Sequence, residues 1–281
     1  MSSSNCCFLT CIQISQEKSG GLVFPSLSEF STVYCNPHSF GIVNKAAGAS
    51  GGIGRSAALA FAARGFNITA AGFTSADALS SLEHEIRAMG CGILTMTGDV
   101  SDPAFIEKLT ENTVSAFGGI DVLVNNAGIA RYGLIQDMTP EDFDRIMAVN
   151  VKSVFLATRS VIPHFLKKQS GSVVNVSSVW GIAGGSTEVL YSASKGAVNA
   201  FTKAAARELG PSGIRVNAAA FGAIDTKMNA HLSDEDRTLL YEEIALGRMG
   251  TPEEAGEFIF DLAVNHPYLT GQVITFDGGW I

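Results

Sequence analysis

The chain has few of the features that assign a protein at a glance, and each absence excludes something. Its five cysteines are an odd number, four of them (Cys6, Cys7, Cys11, Cys35) lie in the first 35 residues, and none has the CxxC spacing of a metal or redox pair. The five histidines stand singly, so no metal site is expected. This usage reads as a reduced thiol set and a cytoplasmic protein. No basic run exceeds Lys167–Lys168 and the formal net charge is −8, so the electrostatic footprint of a nucleic-acid binder is missing. No apolar run approaches the roughly 20 residues that span a bilayer, so no membrane partner is expected. CCFLTCI near the start is short and follows no Lys or Arg, a weak match to a signal peptide.

What is present is an α/β pattern. Residues 1–40, rich in Ser, Cys and Phe and without a sustained period, read as an N-terminal extension that is poorly ordered. From residue 41 to 281 short apolar runs (FNITAAG, GILTMTG, IDVLVNNAG, GSVVNVSS, IRVNAAAFG, GQVITFDGG) alternate with amphipathic stretches. Strands that stay apolar on both faces belong in a parallel sheet covered by helices on each side. The expected fold is a single-domain, Rossmann-like, doubly wound parallel sheet. Ser101-Asp102-Pro103 and Thr139-Pro140-Glu141-Asp142 supply helix starts.

Gly48-Ala49-Ser50-Gly51-Gly52-Ile53-Gly54 opens one helix with G-x3-G-x-G spacing. Glycines allow close approach to a pyrophosphate, and the helix start offers free N–H groups and the positive dipole end. Taken alone, the same residues make a tight strand–helix turn. The next strand ends in Gly72-Phe73-Thr74-Ser75, with no acid before Asp77 to bind a ribose diol. That favours NADP(H) over NAD(H), with Arg55, Thr74 and Ser75 available to a 2′-phosphate.

Tyr191 and Lys195 lie four apart, on one face of an amphipathic helix. A free phenol, with a pKa near 10, is a poor proton shuttle, and a neighbouring ammonium is expected to lower that value. Ser178 ends the strand GSVVNVSS, where ligand crevices of parallel sheets lie. Without further company, the pair reads equally as a surface Tyr beside a solvated Lys.

From about Gly48 to Ile281 the chain resembles the short-chain dehydrogenase/reductase family, of the type that includes 3-oxoacyl-acyl-carrier-protein reductase. The resemblance rests on GASGGIG, Asp99-Val100, Asn125-Asn126-Ala127-Gly128, Asn150, Ser178, Tyr191-x3-Lys195 and Gly222-Ala223-Ile224-Asp225-Thr226 in order. It implies NADPH-dependent reduction of a ketone. Tyr191 would donate the proton, Ser178 would hold the carbonyl oxygen, Lys195 would bind the nicotinamide ribose and tune Tyr191, and Asn150 would hold a relaying water. Gly48, Ser50, Gly52, Ile53 and Gly54 would form the phosphate turn. Thr74 would sit at the 2′ position, and Asp99, Val100, Asn126, Ala127 and Gly128 would lie on the adenosine side. Gly222, Ile224 and Thr226 would hold the carboxamide end. Asp99 could instead cap the next helix, and Asn125-Asn126 could merely end a strand.

The chain departs from the family pattern at Ala47, where Thr is usual, and at Phe221, where Pro is usual. Its first strand, expected at Ile42–Ala47, contains Asn44-Lys45, and an unpaired lysine buried there would cost several kcal/mol. The segment before Gly48 reads as foreign to the family, as after a wrong start or a frame change. Substrate candidates are small-molecule, carrier-protein-bound or protein-bound ketones. The positions that hold docking arginines in carrier-protein reductases fall by motif spacing on Gln169 and Ser212. SSVWGIAGGSTEVLYSASKG and FGAIDTKMNAHLSDED resemble instead a branch assigned as elongation factor P 5-aminopentanone reductase, with Trp180, Ser186 and Glu188 bordering the site. A non-catalytic NADP-binding relative is a third reading. The apolar end LTGQVITFDGGWI and the long helices imply a homo-oligomer, a tetramer by resemblance.

Overall fold

The structure, a computed structural model, describes residues 39–43, 52–73, 76–229 and 232–281, with Ser39–Val43 and Ala76 as backbone only. Seven strands form one sheet: β1 (Ser39–Val43), β2 (Asn67–Gly72), β3 (Ile93–Thr97), β4 (Val122–Asn125), β5 (Gly171–Ser178), β6 (Ile214–Phe221) and β7 (Val273–Phe276). Their order is β3-β2-β1-β4-β5-β6-β7, and every pairing is parallel. The order reverses beside β1, which pairs with β2 on one edge and β4 on the other, so the ligand crevice of such sheets falls at their C-terminal ends. The doubly wound parallel sheet expected from the apolar runs is the fold observed.

The first strand differs from expectation. It runs through SFGIV, with Phe40 opposite Ile68 and Val43 opposite Asn125, and it ends before the polar residues. A central strand is buried on both faces, and the apolar stretch 39–43 satisfies that where 42–47 does not. Asn44, Lys45, Ala47 and nearly all of the extension lie outside the described residues.

The described residues form eight α-helices: α1 (Ile53–Ala62), α2 (Ala76–Ala88), α3 (Pro103–Phe117), α4 (Pro140–Met147), α5 (Ser153–Lys168), α6 (Val189–Leu209), α7 (Asp234–Glu243) and α8 (Pro252–Val264). Successive strand residues feed opposite faces. Val122, Val124, Val174 and Val176 join Phe61, Ile68 and Ile259 under α1, α2 and α8, while Leu123 and Val173 join Ile106, Phe165 and Ile214 under α3, α5 and α6. Each such side chain, fully buried, contributes about 1.5–3 kcal/mol. The starts are capped as the sequence reads: Asp102 accepts from the Ala104 N–H at 3.1 Å, and Thr139 and Asp142 cap reciprocally. Of the described helices, only the stretch 140–168 is long and apolar enough to cross a bilayer, and half of its most apolar window is buried inside the fold.

Candidate active site

A cleft of about 400 Å³ opens at the C-terminal ends of the strands. Its floor is the start of α1. Gly52 precedes that helix at φ 146°, a conformation that favours glycine; as N-cap it has no side chain to offer, and the first turn holds no acid. Among the described residues no side chain caps the N–H groups of that turn, which suits an anion-binding turn.

One wall is α6. It brings Tyr191 and Lys195 to the cleft beside Ser178, the last residue of β5. Gly181 sets the approach of the β5–α6 connection, because a Cβ there would come within 2.7 Å of the Lys195 backbone. The Ser178 Oγ accepts the Trp180 N–H at 3.2 Å. Lys195 is buried, and its Nζ donates to the Val176 carbonyl at 2.8 Å. Gly128 leaves room beside this ammonium: a Cβ on it would lie 3.4 Å from Nζ.

The titration of the pair is governed by burial. It pulls the Lys195 ammonium down to about 8. It also pushes the Tyr191 phenol up, the Glu188 carboxylate adds to the rise, and a hydrogen bond with Ser178 pulls the phenol part-way back. The Tyr191 phenol thus lies above its ordinary value, where the neighbouring ammonium led to the expectation of a lowered one. The ammonium is committed to the Val176 carbonyl and lies 5.6 Å from the phenol ring centre, while desolvation acts on the phenol directly.

Asn150 stands behind the cleft, fully buried in a π-helical turn (Ala148–Lys152) between α4 and α5. Its Oδ1 accepts the Ile129 N–H at 2.8 Å, and its Nδ2 donates to the Ile129 carbonyl and to Ser194 Oγ, both at 2.9 Å. Ser194 Oγ in turn donates to the Tyr191 carbonyl at 2.7 Å. Asn150 thereby ties the loop after β4 to the turn of α6 that carries Tyr191. A second buried chain stiffens the sheet, with Asn125 donating to Asn175 at 2.8 Å and Asn175 to Thr202 at 2.9 Å.

Gly52, Ile53, Gly54, Asn126, Gly128, Ser178, Tyr191, Lys195, Gly222, Ile224 and Thr226 all line this one cleft. Ala127 and Val100 are buried outside its lining. Asp99 also lies off it, accepting the Ser101 N–H at 2.8 Å and the Ser101 hydroxyl at 2.6 Å, while Asp102 rather than Asp99 caps α3. Gly48, Ser50 and Thr74 lie outside the described residues. Arg55 is paired with Glu85 on α2. Gln169 and Ser212 precede β5 and β6, at the end of the sheet away from Ser178, so they do not border the cleft. An eight-residue strand is roughly 25 Å long. Sequence reading missed Tyr132, Lys227, Met228 and Asn229, which also line the cleft. Tyr132 sits in a loop and the other three in a single 3-10 turn (Lys227–Asn229), both too short for a periodicity to mark a face. Among the described residues no group of three or more His, Cys, Asp or Glu is placed to hold a metal ion.

Residues 48–281 match the family model described as enoyl-(acyl carrier protein) reductase. The 3-oxoacyl-[acyl-carrier-protein] reductase FabG of Thermotoga maritima is 43% identical over 235 residues, covering 83% of this chain and 95% of that protein. The uncharacterized oxidoreductase YmfI of Bacillus subtilis is 39% identical over 235 residues, covering 83% and 96%. A short-chain dehydrogenase/reductase structure from Serratia marcescens superposes with a TM-score of 0.79 at 29% identity, covering 86% of this chain and 97% of its own. With its parallel sheet and its Ser178, Tyr191 and Lys195 around one cleft, the chain belongs to the short-chain dehydrogenase/reductase family of oxidoreductases and is similar to the 3-oxoacyl-[acyl-carrier-protein] reductases.

Proposed function

We propose that the protein is a cytoplasmic reductase that converts a ketone to a secondary alcohol with NADPH, the ketone being a 3-oxoacyl group on an acyl carrier protein. The observation that carries this reading is the convergence of Ser178, Tyr191 and Lys195 on a cleft whose floor is the glycine-led start of α1. The residues fit a nicotinamide dinucleotide. Gly52, Ile53 and Gly54 would take its pyrophosphate, the space left by Gly128 beside Lys195 Nζ would take its ribose, and Ile224 and Thr226 its carboxamide end. When bound, the reduced cofactor supplies the hydride.

The chain's own groups manage the proton. Burial and Glu188 keep the Tyr191 phenol protonated at neutral pH, so Tyr191 Oη has a proton to donate to the carbonyl oxygen. Ser178 Oγ donates a hydrogen bond to the same oxygen and orients it. Lys195, on the turn of α6 below, favours the phenolate left after transfer when it is charged. Asn150, through Ile129 and Ser194, holds the two sides of the site in register. The preference for NADPH is supported by the absence of a carboxylate in Gly72-Phe73-Thr74-Ser75 at the end of β2.

Titration of NADPH fluorescence, with NADH in parallel, tests the cofactor. Consumption of NADPH with a 3-oxoacyl thioester tests the substrate. Saturable NADPH binding with tighter affinity than NADH, followed by turnover, is the expected result. Binding without turnover of any ketone would leave a non-catalytic relative.

A second reading, reduction of a ketone carried on a modified lysine of elongation factor P, is favoured by one observation. The Glu188 carboxylate acts on both the Tyr191 and Tyr132 phenols, so the rim carries a negative group suited to an amine. The modified factor offered as substrate beside the thioester decides between the two. We also propose a homo-oligomer, supported by Phe143 and Phe155, whose rings on α4 and α5 are nearly half exposed. Light scattering of the purified chain tests it.

A further inference from the structure

The chain has two tryptophans, Trp180 and Trp280, one hundred residues apart, and their rings meet with centroids 4.8 Å apart and planes at 58°. Each is also tied to a different part of the cleft. The Trp180 N–H donates to Ser178 Oγ at 3.2 Å. Its ring lies over Gly185, where a Cβ would come to 3.0 Å, and the Gly185 N–H donates to Ser192 Oγ at 2.9 Å, next to Tyr191. Trp280 Nε1–H donates to Glu243, the last residue of α7, at 3.0 Å. The Trp280 side chain also packs into the small apolar cluster of Ala223, Ile244 and Met249, with Leu240 and Tyr241 of α7 beside it.

The chain end that carries Trp280 is itself fixed. Asp277 accepts the N–H groups of Gly279 and Ile281 at 3.0 Å, one on each carboxylate oxygen. Asp277 also presses on the cleft-lining Gly222, where a Cβ would meet the Asp277 Cβ at 2.6 Å. The Leu246 N–H donates to the Gly278 carbonyl at 3.1 Å.

We propose that residues 277–281 form a strap with Trp280 as its buckle, a positioning residue for the reaction. The strap joins three segments that are separate in sequence: the strand end carrying Ser178, the loop after β6, and α7. A loop and a short helix next to a cleft have little buried surface of their own to hold them, so an aromatic contact at their meeting point decides their opening. Removing it lets α7 and the Trp180 turn move independently. Cofactor binding at the start of α1 does not depend on them.

Backbone hydrogen exchange on the full chain tests the strap without a substrate. In Trp280→Ala, exchange should rise roughly three- to tenfold in α7 and in residues 179–185, with α1, α3 and α8 unchanged. Trp280→Phe keeps the ring contact and loses the donor, so it should restore protection at 179–185 and leave α7 fast. Glu243→Ala, an exposed change that does not threaten folding, should loosen α7 alone. Unchanged exchange, or a uniform rise over all helices, would overturn the proposal. The kinetic arm rests on the ketone-reductase reading: KM for the ketone should rise by a similar factor, and by more than the dissociation constant of NADPH, whose pyrophosphate would be held at the start of α1. If the wild type reduces no ketone, that reading fails, and the exchange pattern still decides the strap.

Discussion

Lys195 Nζ donates to the carbonyl of Val176 at 2.8 Å and sits 5.6 Å from the centre of the Tyr191 ring. The ammonium is thus held by β5, the strand that also presents Ser178, and its burial brings its pKa to about 8 from 10.5. The unfolded chain keeps the proton up to the higher value. Between the two, the unfolded state binds more protons than the native state, so this group makes stability rise with pH. The cost of burying the charge is fully present below about pH 8 and is relieved above it. Lys195→Met, which removes the charge, should gain most over the wild type near neutral pH and lose that advantage by about pH 10. Thermal unfolding of both proteins across this range checks it. A pH-independent gap would show that Lys195 keeps its charge throughout.

Tyr191→Phe keeps the ring and removes the hydroxyl proposed to give a proton to the carbonyl oxygen. It should lower kcat by roughly 10²–10⁴ and leave NADPH binding close to wild type. Ser178→Ala should lower kcat as well, since the carbonyl oxygen would lose the second hydrogen bond proposed for it. Single-turnover kinetics with a 3-oxoacyl thioester separates the two effects from product release.

Asn150 has no exposed surface and makes three side-chain hydrogen bonds, two to Ile129 and one to Ser194. Asn150→Ala leaves the Ile129 N–H without this partner, so the loss should exceed that of an average hydrogen bond and reach about 2–4 kcal/mol. Urea denaturation measures it. The same variant should weaken NADPH binding, because Gly128 and Ile129 line the cleft from the loop that Asn150 holds.

Much of this was legible in the sequence because it is periodic or local. The apolar runs gave the strands, and Asp102 and Thr139 gave the helix starts by chemistry confined to three or four residues. Tyr191 and Lys195 were legible because helical spacing alone places them together. The cleft positions of Tyr132 and Lys227 and the contact of Trp280 with Trp180 were not, since such placement depends on contacts between distant segments. The first strand was displaced by reading back from the glycine turn with no gap, whereas β1 ends at Val43. The direction of the Tyr191 shift also needed the structure. An ammonium four residues away is visible in sequence, and the desolvation that outweighs it is not.

Gly256, in α8, lies outside the cleft, yet it sets how closely α8 approaches the start of α1. A Cβ at this position would come within 2.5 Å of the Ser56 carbonyl carbon and 2.7 Å of the Ala57 nitrogen. Both are backbone atoms, so no side-chain rotation relieves the clash and α1 must shift. Ser56 follows the cleft-lining Gly54 by two residues in the same helical turn. Gly256→Ala should therefore cost about 1–3 kcal/mol, as overpacking does, and weaken NADPH binding as well, because the displaced turn carries the N–H groups expected to meet the pyrophosphate. Gly119→Ala is the control: its φ is not in the left-handed region, no proline follows it, and a Cβ there meets nothing within 4 Å. Urea unfolding and NADPH titration of the two variants should give losses in both measurements for the first and neither for the second. A Gly256→Ala protein that is less stable but binds NADPH normally would show that α1 yields elsewhere and that its first turn is held from the sheet side.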